Sequence, residues 1–459
     1  NLLQETMRIE RIHIKGLFGM FEHDIRLNKE ERITVIYGMN GIGKTMIFRI
    51  LDSLFKRNLF KLSKYPFASA HIYVENNQTI EVSNSGSLNI RLLQDEKVID
   101  NHLLFSNMKD EISRKAFREI ERRFPVKRID EERYMDYRTK DVFELAELLE
   151  KYAHEIPTKL AKQLTLEDGN GKIANLLNEL NTHFIETQRL IQFSNDGNLN
   201  RRLSKRIQAS MFDEDEPRIE KMDTVEYYSQ ELSNLIADKH REYAKLSESF
   251  ELSLGKRLMD KTVNTYSSRE ELKQESKQLD EKRENLKTVG LFDDDKDELF
   301  IIPDDVNELT LAILSVNVQD MKSKLRIFDD IYYKLSLFLD IINKRRFSYK
   351  AVSIHPDKGF IFENINNKKL KVTELSSGEQ HELILMYELL FKVPEDSLVL
   401  IDEPEISLHV AWQKKFLNDL REIIAIRKFD VMVSTHSPSI INGEWDLAIG
   451  LDKEKEEYV

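Results

Sequence analysis

Cysteine is absent from the 459-residue chain, which excludes a disulfide framework, a thiolate zinc site, a CxxC zinc hook and a cysteine nucleophile. No apolar run approaches the roughly 18 residues needed to cross a bilayer. The opening NLLQETMRIERIHIKG also lacks the apolar core of an export signal. A cytoplasmic protein with no membrane partner is the expectation. No sequence repeat stands out either. The chain opens on Asn1 and soon reaches Met7, which leaves the native start either upstream or at Met7.

What is present is charge on an adequate apolar base. Hydrophobic residues make up 41% and charged residues 33%, with a formal net charge of -12. That is enough for real cores in about two to four domain-sized units. The overall field repels phosphate backbones at long range, so any nucleic-acid contact has to be local.

Periodicity then divides the chain. Ile9, Ile12 and Ile14 alternate toward a turn at Gly16 and Gly19, and Arg32 to Tyr37 reads as a buried strand. From Thr45 the spacing of Ile47, Ile50, Leu51, Leu54 and Phe55 becomes helical, with further strands expected at His71 to Val74 and Thr79 to Val82. Glu111 to Gln188 reads as mainly helical, broken by Pro125, Pro157 and the turn Asp168 to Gly171. Met222 to Leu286 is dense in Glu, Lys, Gln, Arg and Leu; it fits long paired helices, a short coiled-coil hairpin, or an ordinary helical subdomain. Acidic turns at Asp213 to Glu216 and Asp293 to Glu298 resemble metal clusters only in composition, and solvated loops are the plainer reading. Strands return at Tyr349 to Ile354 and Gly359 to Glu363.

Two motifs carry the chemistry. Gly38-Met39-Asn40-Gly41-Ile42-Gly43-Lys44-Thr45 fits GxxxxGK[ST] between a predicted strand and a predicted helix. Glycines let successive N–H groups curl toward phosphates at a helix N-terminus. Lys44 would reach the β and γ phosphates of ATP, and Thr45 would place its hydroxyl on Mg²⁺. Far downstream, Leu398 to Ile401 is an apolar strand ending in Asp402 and Glu403. Asp402 is expected on the metal and Glu403 as general base toward water.

Two further segments set the class. Leu375-Ser376-Ser377-Gly378-Glu379-Gln380 precedes a helical run and matches the ABC signature usually written LSGGQ, with Ser377 in place of its first glycine. A serine helix cap followed by glutamate explains the same residues in isolation. Val431 to Ser434 is a strand leading to His436, where ABC proteins keep a switch histidine. In that order the four motifs resemble the ABC ATPases of the SMC, RecF and OLD group, whose form Asp402-Glu403-Pro404-Glu405-Ile406-Ser407-Leu408-His409 with Trp412-Gln413 follows. The resemblance lies at the two ends of the chain. It implies that Ser376 and Gly378 cap the γ phosphate held by an opposite protomer, that Ser407 to His409 form a D-loop at that interface, and that a Q-loop glutamine senses Mg²⁺ and water. Gln188, in the strand-like run Phe184 to Leu190, is the candidate for that glutamine, with an ordinary polar strand end as its alternative.

The fold expected is α/β, an ABC-type P-loop ATPase head split by a large, mainly helical insertion. Its division runs 1–90 (P-loop half of the head), 91–199 (helical or mixed lobe), 200–345 (charged helical insertion) and 346–459 (signature, acids, D-loop and histidine). Within the group the chain resembles most the anti-phage ATPases, PtuA of Septu and retron systems and then AriA of PARIS. That implies an ATP-linked dimer or higher oligomer holding a separate effector, often a nuclease. OLD proteins carry a Toprim nuclease after the ATPase, whereas only Ser437 to Val459 follow His436, so no nuclease is expected here. The alternative is a DNA-repair or clamp ATPase gripping duplex through basic clusters such as Arg114-Lys115, Arg122-Arg123, Arg201-Arg202 and Lys344-Arg345-Arg346. Most of these are interleaved with acids and read as solvated faces. A transporter motor fits least, since the insertion between Gly38 and the signature exceeds what such subunits carry.

Overall fold

The computed structural model describes residues 7–104, 126–128, 133–136, 142–144, 171–186, 224–259, 268–292, 307–406 and 408–452. The chain forms two compact units, Asn1–Lys221 with Lys392–Val459, and Met222–Phe391. The first opens with β1 (Ile9–Leu17) and β2 (Phe21–Arg26), joined by a tight turn in which Phe18 and Gly19 take positive φ. Ile12 and Ile14 are fully buried while Lys15 faces solvent, as a period of two requires, and an irregularity between Lys15 and Leu17 turns Leu17 back into the core. There follow β3 (Ile33–Tyr37), α1 (Lys44–Phe55), α2 (Leu59–Lys64) and the strands β4 (Ser69–Val74), β5 (Gln78–Ser83), β6 (Leu88–Gln94) and β7 (Lys97–Leu104). An antiparallel sheet runs in the order β2-β1-β4-β5-β6-β7. The β6–β7 hairpin was not visible in the sequence because its turn is Asp95-Glu96, both at positive φ, without the glycine or asparagine that usually marks such a turn.

Where mainly helix is expected between 111 and 188, the described residues hold a small antiparallel sheet of β8 (Val126–Arg128), β9 (Arg133–Asp136) and β10 (Val142–Glu144), then α3 (Lys172–Glu179) and β11 (Thr182–Ile185). Strands of three or four residues are too short to display a period of two, so the sequence signal there was empty.

The second unit is led by α4 (Thr224–Met259), α5 (Arg269–Thr288) and α6 (Glu308–Arg326), with α6 packed on both others. Ser268 and Asn307 cap α5 and α6 by accepting from the N–H groups of Glu271 and Thr310. This is a helical subdomain in which α6 packs on both of the long helices for which the sequence allowed a direct pairing. Next come α7 (Asp329–Leu339), continued by a wide π turn over Asp340–Arg346, the antiparallel strands β12 (Lys350–His355), β13 (Gly359–Asn364) and β14 (Lys369–Leu370), and α8 (Ser377–Tyr387). Tyr228, Tyr387 and Phe391 stack in series at 4.6 and 4.8 Å between ring centres, tying α4 to α8.

The chain then returns to the first unit with β15 (Leu398–Asp402), α9 (Val410–Gln413), α10 (Phe416–Arg427), β16 (Asp430–Thr435), α11 (Pro438–Ile441) and β17 (Ala448–Gly450). A parallel sheet forms in the order β11-β15-β16-β3-β17. β3 from the start of the chain is thus enclosed by two strands from its end, with Val35 in register with Val433 and Ala448. All five residues of β15 are buried, the pattern of a central parallel strand covered on both faces. The architecture is α/β, a phosphate-loop head split by a helical insertion, as expected. Because β3, β15 and β16 run parallel, the segments that follow them emerge at one edge of the sheet, where ligands of open α/β sheets gather.

Candidate functional site

The loop after β3 is held open by its glycines. Gly38, Gly41 and Gly43 have φ of 156°, 84° and 101°, and a Cβ on Gly43 would lie 2.3 Å from Leu17 Cδ2. Replacing Gly43 with alanine should therefore destabilise the protein by about 2–4 kcal/mol, summing left-handed strain and overpacking against a fully buried leucine. Thermal or urea unfolding reads this directly. Unchanged stability would mean that Leu17 yields and that the loop is not constrained there.

Lys44 begins α1 and folds back over the loop, donating from Nζ to the carbonyls of Gly38 at 2.9 Å and Met39 at 3.3 Å. It also reaches His436 Nε2 at 2.7 Å, with the imidazole nitrogen as acceptor. Burial pushes the Lys44 ammonium below its ordinary pKa, against the opposing pull of Glu403, Asp402, Asp452 and Glu405. Four carboxylates around one partly desolvated cation leave the site with excess negative charge, which favours a divalent cation and lets a polyanion enter only together with one.

Thr45 Oγ1 donates to Asp402 Oδ2 at 2.9 Å, and Ser434 Oγ donates to Asp402 Oδ1. Two of the three expected metal ligands, more than 350 positions apart in sequence, are therefore adjacent. Among the described residues no three carboxylates or histidines group as a resident metal cage. A hydroxyl and one carboxylate leave most coordination to water and phosphate, which is the manner of Mg²⁺ rather than of Ca²⁺ or zinc. The residues present fit that ion with a triphosphate.

Glu403 follows with φ 44°, left-handed and unusual for a residue with a side chain. Its N–H donates to the Ser434 carbonyl at 3.0 Å, which holds the turn, and its Oε1 stands 3.4 Å from His436 Nε2. Such strain costs on the order of 1–3 kcal/mol and persists where the surroundings fix a side chain in one direction. Lys44, Thr45, Asp402, Glu403 and His436 thus converge on one spot, with Asn40 and Gly41 in the loop beside them.

Ser376 and Gly378 lie in the second unit, at the start of α8. Ser376 caps the helix by accepting from the Glu379 N–H at 3.3 Å, while Glu379 accepts from the Ser376 N–H at 2.7 Å. The helix-cap reading of these residues is thereby realised in full, and it leaves the signature reading open. Gln188 and Ser407 lie outside the described residues, as do the acidic turns at 213–216 and 293–298.

Four contributors escaped the sequence reading. Glu405 Oε1 accepts from the His436 N–H at 2.6 Å and anchors the histidine segment. Gln413 bridges the same segment to the turn after β15, accepting from Ser437 Oγ at 2.7 Å and donating to the Leu408 carbonyl at 3.0 Å. Asp452, just beyond β17, accepts the Met39 N–H with both carboxylate oxygens, at 3.1 and 3.2 Å. His23, nearly fully buried on β2, bonds the Ile42 carbonyl at 2.9 Å. Glu405 and Gln413 stood in a quoted motif without a role; Asp452 and His23 carried no local signal.

The sequence profile of the family described as AAA ATPase domain matches residues 7–441. Protein ea59 of Escherichia phage lambda is 35% identical over 80 residues, 17% of this chain and 15% of that protein, so the aligned stretch is a small part of the relative's length. Among solved structures, the Smc head domain of Pyrococcus furiosus with an extended coiled coil, bound to the C-terminal domain of ScpA, is 14% identical with a TM-score of 0.36, covering 97% of this chain and 93% of that one. The SMC head domain from Thermotoga maritima is 11% identical with a TM-score of 0.30, covering 96% and 94%. The profile match takes in the phosphate loop, the paired acids and the histidine segment, and the chain belongs to the AAA ATPase domain family.

Proposed function

We propose that this protein is a regulatory ATPase of the cytoplasm that binds ATP with Mg²⁺, closes into a dimer around it, hydrolyses it, and through that cycle controls a separate effector, a nuclease, in bacterial anti-phage defence. The observation that carries the ATPase reading is the convergence of Lys44, Thr45, Asp402, Glu403 and His436 from the two ends of the chain. The effector role rests on the resemblance to the anti-phage ATPases. The four-part division of the chain given above belongs to the same proposal.

Gly38 to Thr45 bind the triphosphate through backbone N–H groups, and Lys44 exchanges its contacts with loop carbonyls for phosphate oxygens. Thr45 and Asp402 would hold the metal, whose charge would offset that of the phosphate oxygens. Glu403 accepts a proton from the water that attacks the γ-phosphorus as the P–O bond to ADP breaks. His436, released from Lys44, turns toward the transferred group. Ser376 and Gly378 of a second copy close the site. Gln188 is proposed as the residue that senses the metal and water.

One basic cluster available to the clamp alternative is partly compensated: Lys344 and Arg345 share Asp340, and Arg346 pairs with Glu382 in the interior. Native mass of the full chain, co-expressed with its genomic neighbour and measured with ATP, with ADP and without nucleotide, tests the proposal. An ATP-dependent assembly containing the neighbour is the result expected. An ATP-dependent dimer that instead retards duplex DNA in a salt-dependent way would transfer the chain to the clamp class. A mass indifferent to nucleotide would overturn both.

A further inference from the structure

The turn that opens α8 contains an electrostatic conflict. In the proposal above, on which this inference rests, the turn receives the γ phosphate of a partner copy. Yet it carries an acid: Glu379 folds back over the helix start, where its Oε2 accepts from the Ser376 N–H at 2.7 Å. An anion arriving at that end meets the favourable ends of backbone N–H dipoles and an unfavourable carboxylate within one helical turn.

Lys350, the first residue of β12, sits where it resolves the conflict. Its Nζ donates to the same Glu379 Oε2 at 2.8 Å and to the Glu374 carbonyl at 2.8 Å, bracketing the segment from Glu374 to Glu379. The two side chains are only 23% and 16% exposed, so the pair is shielded from the solvent that makes surface ion pairs nearly worthless. The Glu379 carboxyl is held below its ordinary range by Lys350 and the Ser376 bonds, against the opposing effect of its burial. Farther along, α8 is fixed against rotation: Glu382 accepts from Arg346 Nε at 2.6 Å with both side chains fully buried, and just past the helix end the Tyr228 hydroxyl donates to Glu388 at 2.6 Å.

We propose that Lys350 is a positioning residue for the signature turn, cancelling the Glu379 charge and holding residues 374–379 in place so that the start of α8 accepts a phosphate from a second copy of the chain. Lys350 itself touches no reacting atom. Its effect is confined to closure of the dimer and is absent from ATP binding by the loop after β3.

The test compares Lys350→Met, Lys350→Arg and the double variant Lys350→Met with Glu379→Gln, each in the full chain carrying Glu403→Gln. ATP affinity of the separate protomer is measured by calorimetry, and the dimer dissociation constant in ATP and Mg²⁺ by sedimentation. Lys350→Met should leave ATP affinity within about twofold and weaken dimerisation about 10- to 100-fold, the scale of one uncompensated like-charge contact. Lys350→Arg should behave as the parent. Glu379→Gln should restore the double variant to within a few fold, because glutamine keeps the capping bond and lacks the charge. Unaltered dimerisation in Lys350→Met would overturn the inference, and so would failure of the double variant to recover, which would reduce Lys350 to a strut. If the Glu403→Gln parent itself forms no dimer with ATP, the signature reading falls and takes this one with it.

Discussion

Replacing Lys44 with alanine should weaken ATP binding by about two orders of magnitude, the effect of losing roughly 3 kcal/mol of charge-assisted hydrogen bonding to phosphate. The same change should cost little in stability without nucleotide. Lys44 is a desolvated cation whose pKa burial lowers, and its donors are spent on two loop carbonyls and one imidazole. In stability terms the sign is definite. A lysine with a depressed folded pKa binds its proton less readily folded than unfolded, so the nucleotide-free protein gains stability as pH rises through the interval between that lowered value and the ordinary lysine value. Lys44→Met, which keeps the stem without the charge, should lose that pH dependence along with ATP affinity. Thermal unfolding with and without ATP separates the two effects: wild type should shift upward with ATP, and both variants should not. Normal ATP affinity in Lys44→Ala would remove the loop from the site altogether.

The candidate site was legible because its parts are local. Eight residues with three glycines between an apolar strand and a helix leave little freedom, and a buried strand ending in two acids demands a partner, which Thr45 and Ser434 supply. What bound those parts was not local. Asp452 meets Met39 across 413 positions, and Arg8 meets Asp430 across 422, so neither leaves a mark in any window of sequence. Ser376 was readable both as a cap and as a signature because the same geometry serves both, a serine oxygen and free N–H groups at a helix start. Gln188 depended on one strand end and nothing else. The strand before it, β11, does lie beside β15 in parallel, which brings Ile185 alongside Ile401 at the edge where the acids emerge.

Replacing Glu403 with glutamine should lower turnover by about 10²- to 10⁴-fold, the range a positioned general base supplies, while leaving ATP affinity unchanged. Glutamine matches glutamate in shape, so the turn at φ 44° and the bond from the residue 403 N–H to Ser434 remain available. What is lost is the basic oxygen beside His436 Nε2. The consequence for assembly follows from the order of events. If closure precedes hydrolysis and opening follows it, a protein that closes but cannot hydrolyse accumulates closed, so the variant should convert fully to dimer in ATP and Mg²⁺ at protein concentrations where wild type is transient. Asp402→Asn should separate from it, because loss of the carboxylate shared by Thr45 and Ser434 disturbs metal binding and weakens the dimer along with turnover. Phosphate release and native mass measured on the same samples decide the matter. Turnover unchanged in Glu403→Gln would assign the base elsewhere, with Glu405 next in line, since its Oε1 already holds the His436 N–H. Turnover lost without dimer accumulation would mean that hydrolysis does not limit opening, and that the cycle cannot serve as a timer for whatever the dimer holds.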